Sequence, residues 1–175
     1  MPLIRNAEQV EDRYRRIADD ASVPEEGAVL LPAAQFLAGA ERIAGRPGAT
    51  GEIWPNDRDV AELAPYLGRL ALVALVFPTF RDGRAYSQAR ALRERYRFGG
   101  ELRATGDVLR DQFLFLRRAG FNAFEVRKPE DAQAFCDALQ RYDVFYQPAA
   151  DGERGALRHR RNAGPRLRHA VTELA

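Results

Sequence analysis

Apolar and polar positions along the chain switch between two periods. The run Leu70 to Phe77 (LALVALVF) is apolar throughout, as expected of a strand covered on both faces. Shorter strands are expected at Ala28 to Pro32, Gly51 to Pro55, Glu101 to Thr105 and Phe121 to Arg127, with a last one at Val144 to Gln147. Between them the spacing becomes helical. Ala33 to Ala44 carries Phe36, Leu37 and Ile43, and Gly45 and Pro47 stop it. Val60 to Leu67 is a short helix capped by Asn56 or Asp57. From Arg84 to Arg97 the stripe is Ala85, Ala89, Leu92 and Tyr96. The next helix, capped by Thr105 or Asp107, runs to Ala119 on Leu109, Phe113 and Leu116. A final helix begins after Pro129 and buries Ala132, Phe135, Cys136 and Leu139. In the polar N-terminal stretch, Glu8 to Asp19 fits one more short helix, with Val10, Tyr14 and Ile17 on one side.

Strand and helix alternate with short connections, which predicts parallel strands and right-handed crossovers. The expected fold is a single α/β domain over residues 1–148. Its mainly parallel sheet has five to six strands and is either open and three-layered or incomplete and barrel-like, being too small for a full eight-stranded barrel. Residues 149–175 read as a basic, flexible tail.

Composition narrows the function classes. The formal net charge of +2 hides an imbalance, because residues 151–175 hold six arginines against Asp151, Glu153 and Glu173. That tail is a solvated terminus or a docking arm for an acidic partner. Cys136 is the sole cysteine, and His159 and His169 both lie in the tail. The chain therefore supplies neither the cysteines of an iron–sulfur cluster nor the ligands of a closed zinc site, and no dinucleotide or P-loop fingerprint occurs. No cofactor and no metal site is predicted. No apolar run reaches membrane-spanning length and no signal peptide opens the chain, so a cytoplasmic location is expected. Strand aromatics interleaved with basic residues are missing, which argues against nucleic acid.

In parallel α/β sheets, ligands sit at the carboxyl ends of strands, beside helix N-termini. Two polar turns fall there. The first brings Asp82, Arg84, Tyr86 and Ser87, with Arg90 a turn further on. The second brings Arg103, Thr105, Gly106, Asp107, Arg110, Asp111 and Gln112. Arg84, Arg103 and Arg110 suit a small oxyanion, with Asp107 as candidate acid or base. The same residues also read as an ordinary turn, a helix cap and a structural ion pair between Arg103, Glu101 and Glu125. Leu114, Arg117 and Arg118, off the main apolar stripe, are possible partner contacts.

Phe77-Pro78, Asp82-Gly83-Arg84, Tyr86-Ser87, Arg90, Gly100 to Ala104, Gly106 to Leu109, Asp111-Gln112 and Gly120-Phe121 form a long motif, joined upstream by Leu30 to Pro32 and Asn56 to Leu63. In these residues the chain resembles a bacterial domain-of-unknown-function family whose members are labelled oxidoreductases of sulfite reduction. The resemblance covers residues 1–148. It implies a cytoplasmic role in assimilatory sulfate reduction, with sulfite reductase or another protein of that system as partner. The label names no reaction, and the chain shows no redox-cofactor motif. The resemblance thus implies an accessory or subunit protein, or else an enzyme or carrier for a sulfur oxyanion or sulfonucleotide.

Overall fold

The computed structural model describes residues 2–129, 131–140 and 145–151. Eight strands form one curled sheet: β1 (Leu3–Arg5), β2 (Glu8–Val10), β3 (Arg15–Arg16), β4 (Val29–Pro32), β5 (Thr50–Trp54), β6 (Leu72–Phe77), β7 (Glu101–Gly106) and β8 (Ala123–Glu125). Their order is β2-β1-β8-β7-β6-β5-β4-β3. All neighbours from β3 to β8 pair in parallel, while β1 runs antiparallel to both β2 and β8. The architecture is a half-barrel, the barrel-like member of the two expected arrangements.

Among the described residues five α-helices accompany the sheet: α1 (Ala33–Ala38), α2 (Ala40–Ala44), α3 (Arg84–Arg90), α4 (Phe113–Arg118) and α5 (Asp131–Gln140). Phe36, Ile43, Ala85, Ala89, Phe113, Leu116 and Phe135 share one core with Val29, Leu31, Val73, Leu75, Leu102, Ala104 and Phe124. Strand side chains alternate, so these strand residues mark a single face, the convex one. Three expected helices are shorter or differently wound. Gly39 separates α1 from α2. Val60–Leu63 is a 3₁₀ turn, capped by the Asp59 side chain on the Ala61 amide rather than by Asn56 or Asp57. The helix beginning at Arg84 passes into a π turn at Ala91–Arg95, closed by Tyr96 N–H donating to the Ala91 carbonyl at 3.0 Å.

The larger correction is at the N-terminus. Glu8 to Asp19 contains no helix. β1 and β2 form a hairpin whose two-residue turn, Asn6-Ala7, has φ of 52° and 67°. This is the geometry of a type I′ turn, which suits the twist of an antiparallel pair. Residues 11–14 then cross the concave face, and β3 pairs with β4 at the other edge of the sheet. Helical spacing of Val10, Tyr14 and Ile17 thus arises from a segment that belongs to both edges in turn. Tyr14 packs on Leu30, Leu72 and Ala74, the small apolar patch of the concave face. These three N-terminal strands also explain why eight strands are present where five or six were expected. The expected strand at Val144 to Gln147 falls partly outside the described residues, as does most of the tail.

Candidate functional site

β7 supplies both polar clusters. Its alternate residues Glu101, Arg103 and Thr105 face the concave side, beside Leu72, Ala74 and Val76 of β6. Arg103 lies between Ala74 and Ala123 in register, and these short neighbours leave room for its guanidinium. That side chain has no exposed surface. Its Nε donates to Glu101 at 2.9 Å. Nη1 donates to Asp12 at 2.7 Å and to Glu125 at 3.2 Å, and Nη2 to Asp12 at 3.1 Å. The Tyr14 ring lies 5.6 Å away. Arg5 reaches Glu101 at 3.4 Å, Arg16 pairs with Glu125, and Thr105 Oγ1 donates to Glu125 at 2.6 Å. Three arginines and three carboxylates therefore balance within the half-barrel. Burial opposes the charge of Arg103, but the bonds and charge of Asp12 and Glu101 outweigh it and raise its pKa. Burial likewise works against ionised Asp12, yet the hydrogen bond from Arg103 leaves its pKa below the ordinary value. With three carboxylates already around it, Arg103 is an ion-pair hub holding the N-terminal segment against the sheet.

The second cluster lies on the rim at the carboxyl ends of β6 and β7. Gly106 has φ of 94°, and a side chain there would run into the Phe77 carbonyl. This close approach lets Asp107 N–H donate to the Phe77 carbonyl at 2.8 Å. Asp107 does not cap the following helix and does not share a helix face with Asp111; the helical turn begins at Arg110. Its carboxylate instead accepts from the Phe80 amide at 3.0 Å and pairs with Arg127 at 3.2 Å. Gln112 donates through Nε2 to the Phe80 carbonyl at 2.7 Å and accepts at Oε1 from the Leu109 amide at 3.3 Å. Asp107 and Gln112 thus clamp Phe80 by both its backbone groups, one primary amide away from Leu109. The side chains of Phe80 and Leu109 are left 41% and 37% exposed.

The other predicted residues fall around this clamp. Asp82 and Arg84 form a two-point ion pair, the shorter contact 2.7 Å, which holds the Asp82 pKa well below the ordinary carboxylate range. Tyr86 lies edge-on to Phe77 at 5.4 Å, and burial, aided by the Asp111 charge, raises its pKa. Ser87 is exposed, and Arg90 pairs with Glu94 one turn along at 3.2 Å. Arg110 and Asp111 are exposed. The structure brings Asp107 and Gln112 together at the rim, with Asp111 near enough for its charge to act on Tyr86. It places Arg103 and Thr105 in the buried concave network, so Arg84, Arg103 and Arg110 do not converge on one point. Arg118 is committed to Asp151 at 2.6 Å and stacks 4.2 Å from the Phe145 ring.

Two charged residues escaped sequence reasoning. Glu52, in the middle of β5, is fully buried, and neither carboxyl oxygen has a hydrogen-bond partner among the described residues. Burial, only partly offset by Arg58, pushes its pKa up to about 9. Its signal was available: an acid in a strand covered on both faces. Arg93 is the other; nothing in a run of surface arginines distinguishes it.

Fold and rim together define a class: a curled α/β half-barrel that presents a clamped hydrophobic pair on a charged edge. A family model for bacterial proteins of unknown function, DUF934, matches residues 51–157, more than half of the sequence, and the chain belongs to that family. No curated protein matches it. The matched segment holds both rim turns, whereas Asp12 and Arg16 precede it.

Proposed function

We propose that this protein is an accessory or subunit protein of assimilatory sulfite reduction, and that it acts in the cytoplasm by docking through its rim on an acidic surface of sulfite reductase or another protein of that system. One observation carries the docking reading. Phe80 and Leu109 are exposed apolar side chains whose backbones are held by Asp107 and Gln112. Arg81, Arg84, Arg110, Arg127 and Lys128 are exposed on this edge of the chain; Arg84 and Arg127 are paired with Asp82 and Asp107, and with the exposed Asp111 counted the rim carries five basic groups against three acidic ones. Apolar anchors fixed in advance lose little entropy on binding, and a basic surround steers an acidic partner. The sulfite-reduction part rests on the motif resemblance, and the absence of a redox-cofactor motif favours a role beside a redox enzyme. The oxyanion-carrier reading is weaker because Arg103, its central residue, is enclosed by carboxylates.

Purified sulfite reductase from the same cells tests the reading by affinity measurement. Phe80→Ala with Arg110→Glu should weaken the complex at least about tenfold, and raised salt should weaken the wild-type complex. Separate elution of the two proteins at tens of micromolar, or an unchanged affinity for the variant, would count against it. A complex with another sulfate-assimilation enzyme instead would keep the docking and reassign the partner.

A further inference from the structure

A cavity of about 550 Å³ opens at the other end of the sheet, by the amino ends of β7 and β8. Arg93, Asn6, Ala7, Phe121 and Asn122 line it. Arg93 enters from the π turn. Its Nε donates to the Gly120 carbonyl at 2.9 Å, and its Nη1 donates to the Gly100 carbonyl at 2.9 Å and to the Phe98 carbonyl. Its Nη2 donates to none of the described residues, and no carboxylate among them pairs with it. Burial pulls its pKa below the ordinary arginine value. Gly120, at φ of 105°, is what admits it, because a Cβ there would lie 2.5 Å from Arg93 Cγ. Arg117 also lines the cavity, and so does Asp151, whose carboxylate is paired with Arg118.

Three separate features meet here. A π turn within a helix is rare and is found often at functional sites. The β1–β2 hairpin turn, Asn6-Ala7, forms part of the cavity edge and adds a polar residue to it. The Arg93 guanidinium is half-buried and held by backbone carbonyls, with no carboxylate among the described residues paired to it, so an anion facing Nη2 would complete its partners. We propose that this cavity binds a small organic anion, its carboxylate, sulfonate or phosphate group on Arg93 Nη2 and its apolar body against Phe121. The cavity is too large for a bare inorganic ion to fill, and its walls mix polar side chains with Ala7 and Phe121, as suits an anion that carries an organic body. This site is independent of the docking rim, which lies at the opposite ends of the same strands.

The test is an NMR titration of the full chain with phenyl phosphate, benzenesulfonate and neutral benzamide. Both anions should shift the amides of Gly99, Gly120 and Asn122 and approach saturation below about 10 mM, with benzamide at least about tenfold weaker. Gly99 lies on the cavity lining, and a Cβ added there meets nothing within 4 Å. Gly99→Trp should therefore fill the cavity without disturbing the core and abolish those shifts. Arg93→Lys should weaken the anions and leave benzamide unchanged. No shifts at these amides, equal binding of benzamide, or undiminished anion binding by folded Gly99→Trp would overturn the proposal.

Discussion

At the scale of single residues, the buried charges make opposite predictions. Glu52 has a folded pKa of about 9 against an ordinary 4.5. A group raised in this way keeps its proton in the fold and gives it up on unfolding. Its contribution is therefore full below pH 4.5 and is lost as pH rises toward 9, at roughly 1.4 kcal/mol per pH unit. Glu52→Gln, neutral at every pH, should be more stable than wild type at pH 8 and gain little at pH 5, as urea unfolding at the two values would show. Asp12 behaves in reverse. Its folded pKa lies below the ordinary 3.8, so its pairing with Arg103 stabilises above that value and is lost as pH falls through the folded pKa. Arg103→Ala takes Asp12's arginine away and leaves Glu101 and the buried Glu125 with only Arg5 and Arg16, so it should cost about 3 kcal/mol, measured by the same denaturation. Ala7 tests strain alone. Its φ of 67° is glycine's territory, so Ala7→Gly should raise stability by about 1 kcal/mol, read as an upward shift in melting temperature.

Among elements, the N-terminal segment is the one whose role differs most from its sequence pattern. It supplies an edge hairpin, a crossing strand-like stretch and the opposite edge strand. Asp12, Tyr14 and Arg16 from it meet Arg103, Leu72 and Glu125. The hub gains its third carboxylate, Asp12, only when this segment is in place, while Glu101 and Glu125 come from β7 and β8 themselves. A chain starting at residue 18 should lose cooperative unfolding, since Leu30, Leu72 and Ala74 would be uncovered and Arg103 would lose Asp12, while Glu125 would lose Arg16. A calorimetric transition as sharp as that of the full chain would show that the segment is dispensable. The rim behaves differently. Its turns are held by backbone contacts of Asp107 and Gln112, so removing the Phe80 side chain leaves those bonds in place.

On the scale of the whole molecule, much of the parallel sheet was legible in sequence and the curl was not. LALVALVF announces a buried central strand, and the alternate polar residues Glu101, Arg103 and Thr105 mark one face of β7 correctly. The pairing of Arg103 with Glu101 and Glu125 was legible too, because strand alternation places them together. Asp12 was not, since its contact spans 91 residues and depends on a crossing no local pattern encodes. Asp107 read as a helix cap because a short polar residue after glycine has that signature. Only the approach of Phe77 to Gly106 turns its carboxylate toward the neighbouring loop. No described helix is long and apolar enough to cross a membrane.

The proposed docking of the rim formed by residues 79–84 and 107–112 on a partner of sulfite reduction would bury the backbone of both turns. Hydrogen exchange with and without purified sulfite reductase tests it most directly. Slower exchange at the amides of residues 79–84 and 107–112, with little change at Gly99 and Gly120, is the predicted result. Unchanged exchange across that rim in a mixture where the complex has formed, or protection confined to the opposite edge of the sheet, would contradict it.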